Sequence, residues 1–392
     1  MSYPKIKLKN GKQRSALHFH PWVFSGAIQH QDNNLQDGDI TEVFSSDDKY
    51  LGTGHFNKGT ITVRLFCFEQ QKIDEIFWEQ KFSKAIELRN KIGFTNNQKT
   101  TAYRLVHAEG DGMPGLITDI YGSTCVMQTH TIGMYQLREI FAKILSKHFK
   151  SVYDKSADSM SKQTATTSQN GYLISDPNPT SENIVVENGL KFRVEWERGQ
   201  KTGFFLDQRD NRMLLKNYSK NRKVLNTFCY TGGFSVYALS GEAALVHSVD
   251  SSKKAMELAD ENVALNFSSE KHKSFTSDVF DFLKRSDTNY DLIVLDPPAF
   301  AKHLSAVKNA IVGYRNLNTE AIKKIHKGGI IFTFSCSQAI DKELFRKIIF
   351  QSAVQAKRNV QILHQLTQPA DHPVSIYHPE GEYLKGLVLY VE

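Results

Sequence analysis

The chain has 392 residues, 40% of them hydrophobic, with a formal net charge of +7 and four cysteines. This length predicts two or three domains rather than a single core. No apolar run is long enough to span a bilayer and the first residues lack the apolar centre of a signal peptide, so we expect a cytoplasmic protein without a membrane segment. The cysteines show no CxxC pairing, which disfavours a zinc site or a disulfide framework, and no metal is expected.

The N-terminal stretch is basic. Its first acidic residue is Asp32. A basic arm without acids favours a nucleic-acid partner over a merely solvated tail. The basic residues that precede Asp32 are Lys5, Lys7, Lys9, Lys12 and Arg14.

The first segment, residues 1–72, consists of short apolar runs punctuated by glycines. Strands are expected at ITEVF (40–44), YLGTGHFN (50–57) and ITVRLFCF (61–68). Strands this short and this close together predict a small β-barrel-like module. A helix is then predicted from Ile76 to Lys91 by its apolar face.

The second segment, residues 73–197, is expected to form a central α+β domain. Residues 103–130 read as strands joined by glycine turns, and a helix is predicted from Tyr135 to Phe149. A polar stretch near 156–182 predicts a mobile surface insertion without a site of its own. The sequence NIVVENGLKFRVEW then predicts a hairpin with its turn at ENG.

The third segment, residues 198–392, alternates strands with helices. Strands are expected at KVLNTF, LVHSVD, YDLIVLD and GGIIFTFS. Repeated βα units predict a Rossmann-like, doubly wound and mostly parallel sheet covered by helices. VQILHQLTQ and GLVLYVE follow with no helix between them, so we expect the sheet to finish with an antiparallel strand.

Chemically capable residues follow the predicted strands, where doubly wound sheets bind their ligands. The first strand ends in the turn NTFCYTGGF. Asp250 ends the second strand, about 20 residues further on, at the spacing where a carboxylate meets ribose hydroxyls in dinucleotide folds. Asp278 follows the third strand, Asp296 ends the fourth and Cys336 ends the fifth. Five such features at one sheet edge predict a single site.

Each of these residues also has a purely structural interpretation. Asp250 and Asp278 could be N-caps of the helices that follow them. Cys336 could be a small buried hydrophobe. The turn lacks the GxGxxG pattern that cradles a pyrophosphate, which disfavours a dinucleotide-dependent dehydrogenase. A nucleoside cofactor without a pyrophosphate fits better, and S-adenosylmethionine is the common one.

Several stretches occur together in one order: FHPWVFSGAI (19–28), RLVHAEGDGMPGLITDIYG (104–122), GQKTGFFLDQRDNR (199–212), VLNTFCYTGGFSVYAL, VDSS, LDPPAFAK and FSCS. With them the chain resembles, over nearly its full length, the bacterial 23S rRNA cytosine-5 methyltransferases of the large-subunit methyltransferase I type. The resemblance implies an RNA-binding PUA module, a central domain and a class I S-adenosylmethionine-dependent methyltransferase domain. The polar insertion is longer than expected for that family.

The resemblance also implies cofactor contacts. Asp250 would bind the ribose hydroxyls and Asp278 would lie near the adenine amine. The stretch 203–209 would cover the site, with a core role for its phenylalanines as the alternative. The predicted cofactor residues are Phe205, Gln208, Arg209, Asn226, Phe228, Tyr230, Thr231, Gly232, Asp250, Ser251, Asp278 and Asp296.

The resemblance implies transfer of a methyl group to C5 of a cytosine. That carbon is a poor nucleophile, and addition of a thiolate to C6 activates it. Cys336 is predicted to be this nucleophile and Asp296 to contact N3 of the base. A related group carries a second cysteine in a Pro-Cys motif after the fourth strand. This chain has DPP there, so Cys336 would be the sole nucleophile, while Cys229 is predicted to be structural.

Candidate RNA contacts in the first module are Arg14, His20 and Trp22, with a core role as the alternative for Trp22. Phe300 could stack on a target base that is unstacked or single-stranded, or could pack its own loop. Two other functions stay open: an amino-group methyltransferase (N6-adenine or N2-guanine) that uses DPPAF, and a non-catalytic RNA-binding ribosome-assembly factor. The oligomeric state also stays open, with a homodimer among the alternatives.

Overall fold

A computed structural model describes residues 3–160, 169–178, 183–268, 270–301 and 304–392. Within it the chain forms two compact units, and each is discontinuous in sequence. Unit 1 comprises Met1–Val185, Val194–Phe204 and Ala370–Gly381. Unit 2 comprises Val186–Arg193, Phe205–Pro369 and Glu382–Glu392.

Unit 1 begins with a six-stranded sheet, as the glycine-punctuated apolar runs predict. Alternate side chains of its strands, such as Ile6, Val43 and Val63, are completely buried in one apolar cluster. The elements are β1 (Lys5–Leu8), α1 (Arg14–Leu17), β2 (Trp22–Phe24), β3 (Ile28–Gln31), β4 (Ile40–Phe44), β5 (Tyr50–Phe56) and β6 (Ile61–Cys67). The strand order is β2-β6-β5-β4-β1-β3, with β1 parallel to β4 and the other pairs antiparallel.

A second sheet of unit 1 has five strands in the order β11-β10-β9-β8-β7. The predicted helix after the first sheet is present, and the Asp74 side chain caps it by accepting a hydrogen bond from the Phe77 amide (3.2 Å). The elements are α2 (Glu75–Lys91), β7 (Ala102–His107), β8 (Leu116–Tyr121), β9 (Thr124–Thr129), α3 (Ile132–Gln136), α4 (Arg138–Leu145), β10 (Ser151–Asp154) and β11 (Gly171–Ile174).

One expectation for this region is corrected. The helix predicted from Tyr135 to Phe149 is two shorter helices, because Leu137 leaves the helical conformation (φ −92°, ψ 1°). Within the polar stretch near 156–182, Gly171–Ile174 forms a strand that pairs antiparallel with β10, and an insertion at this place stays a prediction. Of that stretch, residues 161–168 and 179–182 lie outside the described residues.

Unit 2 contains the predicted doubly wound sheet. A hairpin comes first, and both of its turn residues, Asn188 (φ 51°) and Gly189 (φ 83°), have the left-handed backbone that an Asn-Gly turn provides. The elements are β12 (Ile184–Glu187), β13 (Leu190–Arg193), α5 (Arg209–Tyr218), β14 (Lys223–Thr227), α6 (Gly233–Ser240), β15 (Leu245–Asp250), α7 (Lys253–Ala264), β16 (His272–Thr276), α8 (Val279–Arg285), β17 (Leu292–Leu295), α9 (Val307–Lys324), β18 (Gly329–Ser335), α10 (Lys342–Ala356), β19 (Val360–Leu366) and β20 (Lys385–Val391).

The seven strands of this sheet run in the order β16-β15-β14-β17-β18-β20-β19. The first five are mutually parallel, and β20 is antiparallel to both of its neighbours, as predicted. Every residue of β17 and β18 is buried, which explains their continuous apolar sequences. Strand order reverses between β14 and β17, and ligands of such sheets bind at that point.

The hairpin 186–193 belongs to unit 2, and residues 370–381 belong to unit 1. Residues 198–204 also belong to unit 1, so the two units differ at three places from the expected ranges 1–72, 73–197 and 198–392, which remain a prediction. The hairpin joins unit 2 through hydrogen bonds such as that from the Arg193 amide to Asn262 (2.7 Å). No helix in the part of the chain described here is long and apolar enough to cross a membrane.

A buried ion pair joins this hairpin to helix α5. Glu187 is completely buried and accepts two hydrogen bonds from the Arg212 guanidinium, at 2.9 and 2.7 Å. The Tyr237 hydroxyl donates a third at 3.0 Å. Arg212 also donates to the carbonyl of Phe205 (2.9 Å), so the pair holds the start of the segment that leads into α5.

We predict that Glu187→Ala lowers the free energy of unfolding by about 3–5 kcal/mol, because it leaves the Arg212 charge buried without its partner. Urea unfolding followed by circular dichroism measures the change. Glu257→Ala is the matched control, because Glu257 and Lys253 form an exposed pair with nitrogen and oxygen 3.8 Å apart. Its loss should cost less than about 1 kcal/mol. Equal changes in the two variants would contradict the role given to Glu187.

Candidate active site

The carboxyl ends of the central strands of unit 2 lie side by side. Thr227 pairs with Leu295, and Leu295 pairs with Thr333 on the next strand. The turn after β14, Asp296 after β17 and Cys336 after β18 are therefore brought to one edge of the sheet. This is the arrangement that the strand-end residues predict.

The turn after β14 has an unusual backbone. Phe228 (φ 52°) and Tyr230 (φ 45°) have positive φ, as does Gly232 (φ 76°). For residues with a side chain this conformation costs free energy, and such strain concentrates at ligand sites and active sites. The side-chain oxygen of Asn226 is buried at the start of this turn with no hydrogen-bond partner, while its amide nitrogen donates to Ser235 (2.8 Å).

Asp250 fixes the turn from the neighbouring strand. One carboxylate oxygen accepts from the Tyr230 amide (3.1 Å) and the other from the Ser252 amide (2.9 Å). The N-cap of α7 is Ser252, so the N-cap interpretation of Asp250 is wrong. Because both oxygens accept backbone N–H groups, the carboxylate has a fixed orientation at the strand end.

Asp278 differs from Asp250. Its exposed side chain accepts a hydrogen bond from the Asp281 amide (3.1 Å) and caps α8, as the structural interpretation predicts. Its proposed place near an adenine amine stays a prediction. Ser251 is likewise exposed, whereas Thr231 is buried and its carbonyl accepts from the Asn262 side chain (2.9 Å).

Gln208 connects the segment before α5 to the end of β17. It is buried, and its amide nitrogen donates to Asp296 Oδ2 at 3.0 Å. The side-chain nitrogen of Asn211 donates to the Gln208 oxygen at 2.7 Å, which fixes the orientation of the Gln208 amide. Phe205 lies edge-on to Tyr230, with ring centroids 5.2 Å apart. This segment therefore contacts both the turn and Asp296.

Arg209 has a structural partner rather than an open position. It is buried, and its Nε lies 3.5 Å from an oxygen of Glu187, the same carboxylate that binds Arg212. This pairing could not be predicted from the sequence, because Glu187 lies in a hairpin and the two arginines lie in a helix that is separate in the chain. Cofactor contact by Arg209 stays a prediction.

The two cysteines of unit 2 have different environments. Cys229 is buried beside Met256, with the sulfur atoms 3.6 Å apart. Burial and the Asp250 charge raise the pKa of the Cys229 thiol well above its usual value, which suits the structural role predicted for it. Cys336 is partly exposed at the end of a fully buried strand.

Next to Cys336, Ser337 is completely buried and holds the turn. Its hydroxyl accepts from the Ala301 amide (3.2 Å) and lies 3.0 Å from the Tyr314 hydroxyl. Phe300, which precedes Ala301 in the chain, packs against Tyr314 with ring centroids 4.6 Å apart. This packing matches the loop-packing alternative, and stacking on a base stays a prediction.

The candidate RNA residues of unit 1 occupy different environments. Arg14 is exposed on α1. Trp22 is half-buried, its indole N–H donates to Glu109 (2.8 Å), and its ring lies 4.4 Å from that of His378. His20 lies 3.4 Å from Glu380. RNA contact by these three residues stays a prediction. Within the described ranges, no three His, Cys, Asp or Glu side chains are grouped so that they could hold a metal ion.

Comparisons with known proteins cover the whole chain. A family model for S-adenosylmethionine-dependent methyltransferases matches residues 159–377, and one for PUA-like domains matches residues 6–68. The ribosomal RNA large subunit methyltransferase I of Shewanella denitrificans is 38% identical over 99% of each chain. A structure from Streptococcus mutans described as a SAM-dependent methyltransferase aligns with a TM-score of 0.85 at 25% identity over 100% of each chain. A methyltransferase structure complexed with SAH aligns equally well, with a TM-score of 0.85, 25% identity and 100% of each chain.

We predict that Gly232→Ala destabilises unit 2 by about 2–3 kcal/mol, because it adds crowding to the cost of a positive φ. A Cβ at this position would lie 3.0 Å from the Ala259 Cβ. Gly189→Ala is the matched control, since Gly189 has a similar φ of 83° but nothing within 4 Å of its added Cβ. It should cost about 1 kcal/mol. Urea unfolding compares the two, and a Gly232 variant no less stable than the control would contradict close packing of the turn.

Proposed function

Because the chain belongs to the S-adenosylmethionine-dependent methyltransferases, in the family of ribosomal RNA large subunit methyltransferase I, we propose that it methylates C5 of a cytosine in 23S rRNA. The observation that carries this proposal is the position of Cys336. It is a partly exposed thiol at the end of a buried strand, beside the strand that ends at Asp296. A thiol presented at the ligand-binding edge of such a sheet suits covalent catalysis.

The residues at this edge fit the cofactor. The buried Asn226 oxygen without a hydrogen-bond partner is an acceptor for a polar ligand group, and the strained turn that follows it contains the partly exposed Tyr230. Asp250 presents a fixed carboxylate for the ribose hydroxyls, as resemblance to the family implies. Gln208 and Phe205 would cover the site from the preceding segment. When bound, S-adenosylmethionine supplies an electrophilic methyl group on a sulfonium centre.

Cys336 would act on the cytosine ring as its thiolate. The sulfur adds to C6, a carbon–sulfur bond forms, and the electron pair of the C5–C6 double bond becomes available at C5. C5 would then bond to the methyl group, and the bond from that group to the sulfonium sulfur would break. A base then takes the C5 proton, the C5–H electron pair forms the C5–C6 double bond again, and the Cys336 thiolate leaves. N3 would carry a proton as the sulfur adds to C6, and this N–H would donate to Asp296, whose carboxylate is oriented by the hydrogen bond from Gln208 (3.0 Å).

Three features support RNA as the substrate. The curated relative is named for the large ribosomal subunit RNA, and the first sheet of unit 1 matches the PUA-like model. The chain also carries 49 Lys and Arg against 42 Asp and Glu, a balance that suits a polyanion. A target base inside folded RNA would have to be unstacked or already single-stranded to reach Cys336.

An amino-group methyltransferase is the alternative, because its Asp-Pro-Pro-aromatic motif would need no thiol. We predict that Cys336→Ala abolishes methyl transfer while leaving the affinity for S-adenosylmethionine within about threefold of wild type. Mass-spectrometric mapping of 5-methylcytosine in 23S rRNA from a deletion strain, complemented with each variant, measures transfer. Calorimetry with S-adenosylmethionine measures binding.

Cys67→Ala is the matched control for this experiment, since Cys67 is a cysteine of unit 1. It should restore the modified cytosine. Restoration of 5-methylcytosine by Cys336→Ala would contradict the covalent mechanism. If the 23S rRNA of the deletion strain lacks a methyl group on an adenine or guanine rather than on a cytosine, the amino-group alternative would be favoured. Absence of cofactor binding in the wild-type chain would favour a non-catalytic RNA-binding factor.

A further inference from the structure

Lys385 is a buried lysine beside the proposed nucleophile. It begins β20, where it pairs with Ser335, the last residue of β18. Its side chain is almost completely buried, with 4% exposed. The strand pairing therefore places it next to the residue that precedes Cys336.

The Lys385 amine also holds the residue that follows Cys336. Its Nζ donates to the carbonyl of Ser337 (2.7 Å) and to the carbonyl of Tyr383 (2.6 Å). Lys385 thus contacts both chain neighbours of Cys336, one through its backbone and one through its side chain. Two carbonyls accept two N–H groups of Nζ, so the third position is a lone pair that can accept a proton in the neutral amine and an N–H that can donate to an anion in the ammonium.

We propose that Lys385 is a positioning residue for Cys336: it accepts the thiol proton and stays beside the sulfur as the counter-ion of the thiolate. In this step the S–H bond breaks, an N–H bond forms on Nζ, and the sulfur keeps the electron pair that it later gives to its electrophile. The inference rests on the proposed role of Cys336, although its test does not depend on methyl transfer.

The electrostatics of the site agree with a proton exchange between these groups. Burial lowers the pKa of Lys385 to about 8. Negative charge at Cys336, Asp341 and Glu382 acts against this lowering, and the ammonium of Lys342 adds to it. An amine that titrates near neutral pH can hold a proton that a neighbouring thiol releases. A fully solvated lysine would be protonated throughout this range.

The test measures the thiolate directly in the full-length protein. Iodoacetamide alkylates thiolates, so the alkylation rate of the peptide that contains Cys336, followed by mass spectrometry against pH, gives the midpoint of its ionisation. We expect Lys385→Met to raise this midpoint by about one pH unit, which is about a tenfold loss of thiolate at pH 7. Lys385→Arg keeps the charge and should move the midpoint less.

Tyr314→Phe is the matched control, because it removes a hydroxyl partner of Ser337 from the same turn without changing its charge. This substitution should leave the Cys336 midpoint within about 0.3 pH unit of the wild-type value. Binding of S-adenosylmethionine reports whether each variant is folded. The proposal is overturned if Lys385→Met binds the cofactor and leaves the midpoint unchanged.

A comparison without any substitution covers the case in which Lys385→Met does not fold. In the wild-type chain the Cys336 midpoint should lie below its midpoint in the same chain unfolded in urea, and an equal or higher folded value would overturn the proposal. Methyl transfer is scored separately. If the folded chain has a lowered Cys336 midpoint but makes no 5-methylcytosine, the Lys385 inference stands and the proposed function is rejected. If it makes 5-methylcytosine without a lowered midpoint, only the Lys385 inference is rejected.

Discussion

The parallel register of three neighbouring strands is the constraint on which the site depends. Because β14, β17 and β18 pair residue for residue up to Thr227, Leu295 and Thr333, the chain leaves all three strands at one edge, at Asp296 directly after Leu295 and at Cys336 after two further residues of β18. β17 and β18 are buried along their whole length, so their apolar side chains pack the strands into the interior of the sheet and hold this pairing. The proposed chemistry at Asp296 and Cys336 therefore follows from apolar side chains that themselves have no chemical role.

Buried polar contacts then orient what the register brings together. Asp250 holds the strained turn through two backbone amides, and Gln208 holds Asp296. Glu187 secures the same segment through Arg212. The cost of removing charged groups from water offsets much of the attraction in such contacts, so their main effect is on geometry, although removing one partner of a buried pair is costly. The site is thus shaped by groups on the hairpin and α5 as well as by the sheet.

The sequence alone could predict the sheet and its strand ends, since βα alternation and continuous apolar runs report burial directly. It could not reveal the contact from Gln208 to Asp296, which joins residues far apart in the chain. Nor did it separate Asp250, which holds a turn, from Asp278, which caps a helix, because both follow strands. The position of Lys385 could have been predicted, because a final strand that is antiparallel to the others starts at the sheet edge where the parallel strands end.

Covalent catalysis by Cys336 can be observed most directly by trapping. RNA carrying 5-fluorocytosine at the target position can form the C6 adduct and be methylated, but its C5 then carries fluorine in place of the proton that a base must remove, so the thiolate cannot be expelled. We expect a denaturation-resistant protein–RNA complex that requires S-adenosylmethionine, with the RNA attached to the peptide that contains Cys336. A chain that methylates unmodified RNA yet forms no such complex, or forms it through another residue, would contradict the assignment of Cys336 as the nucleophile.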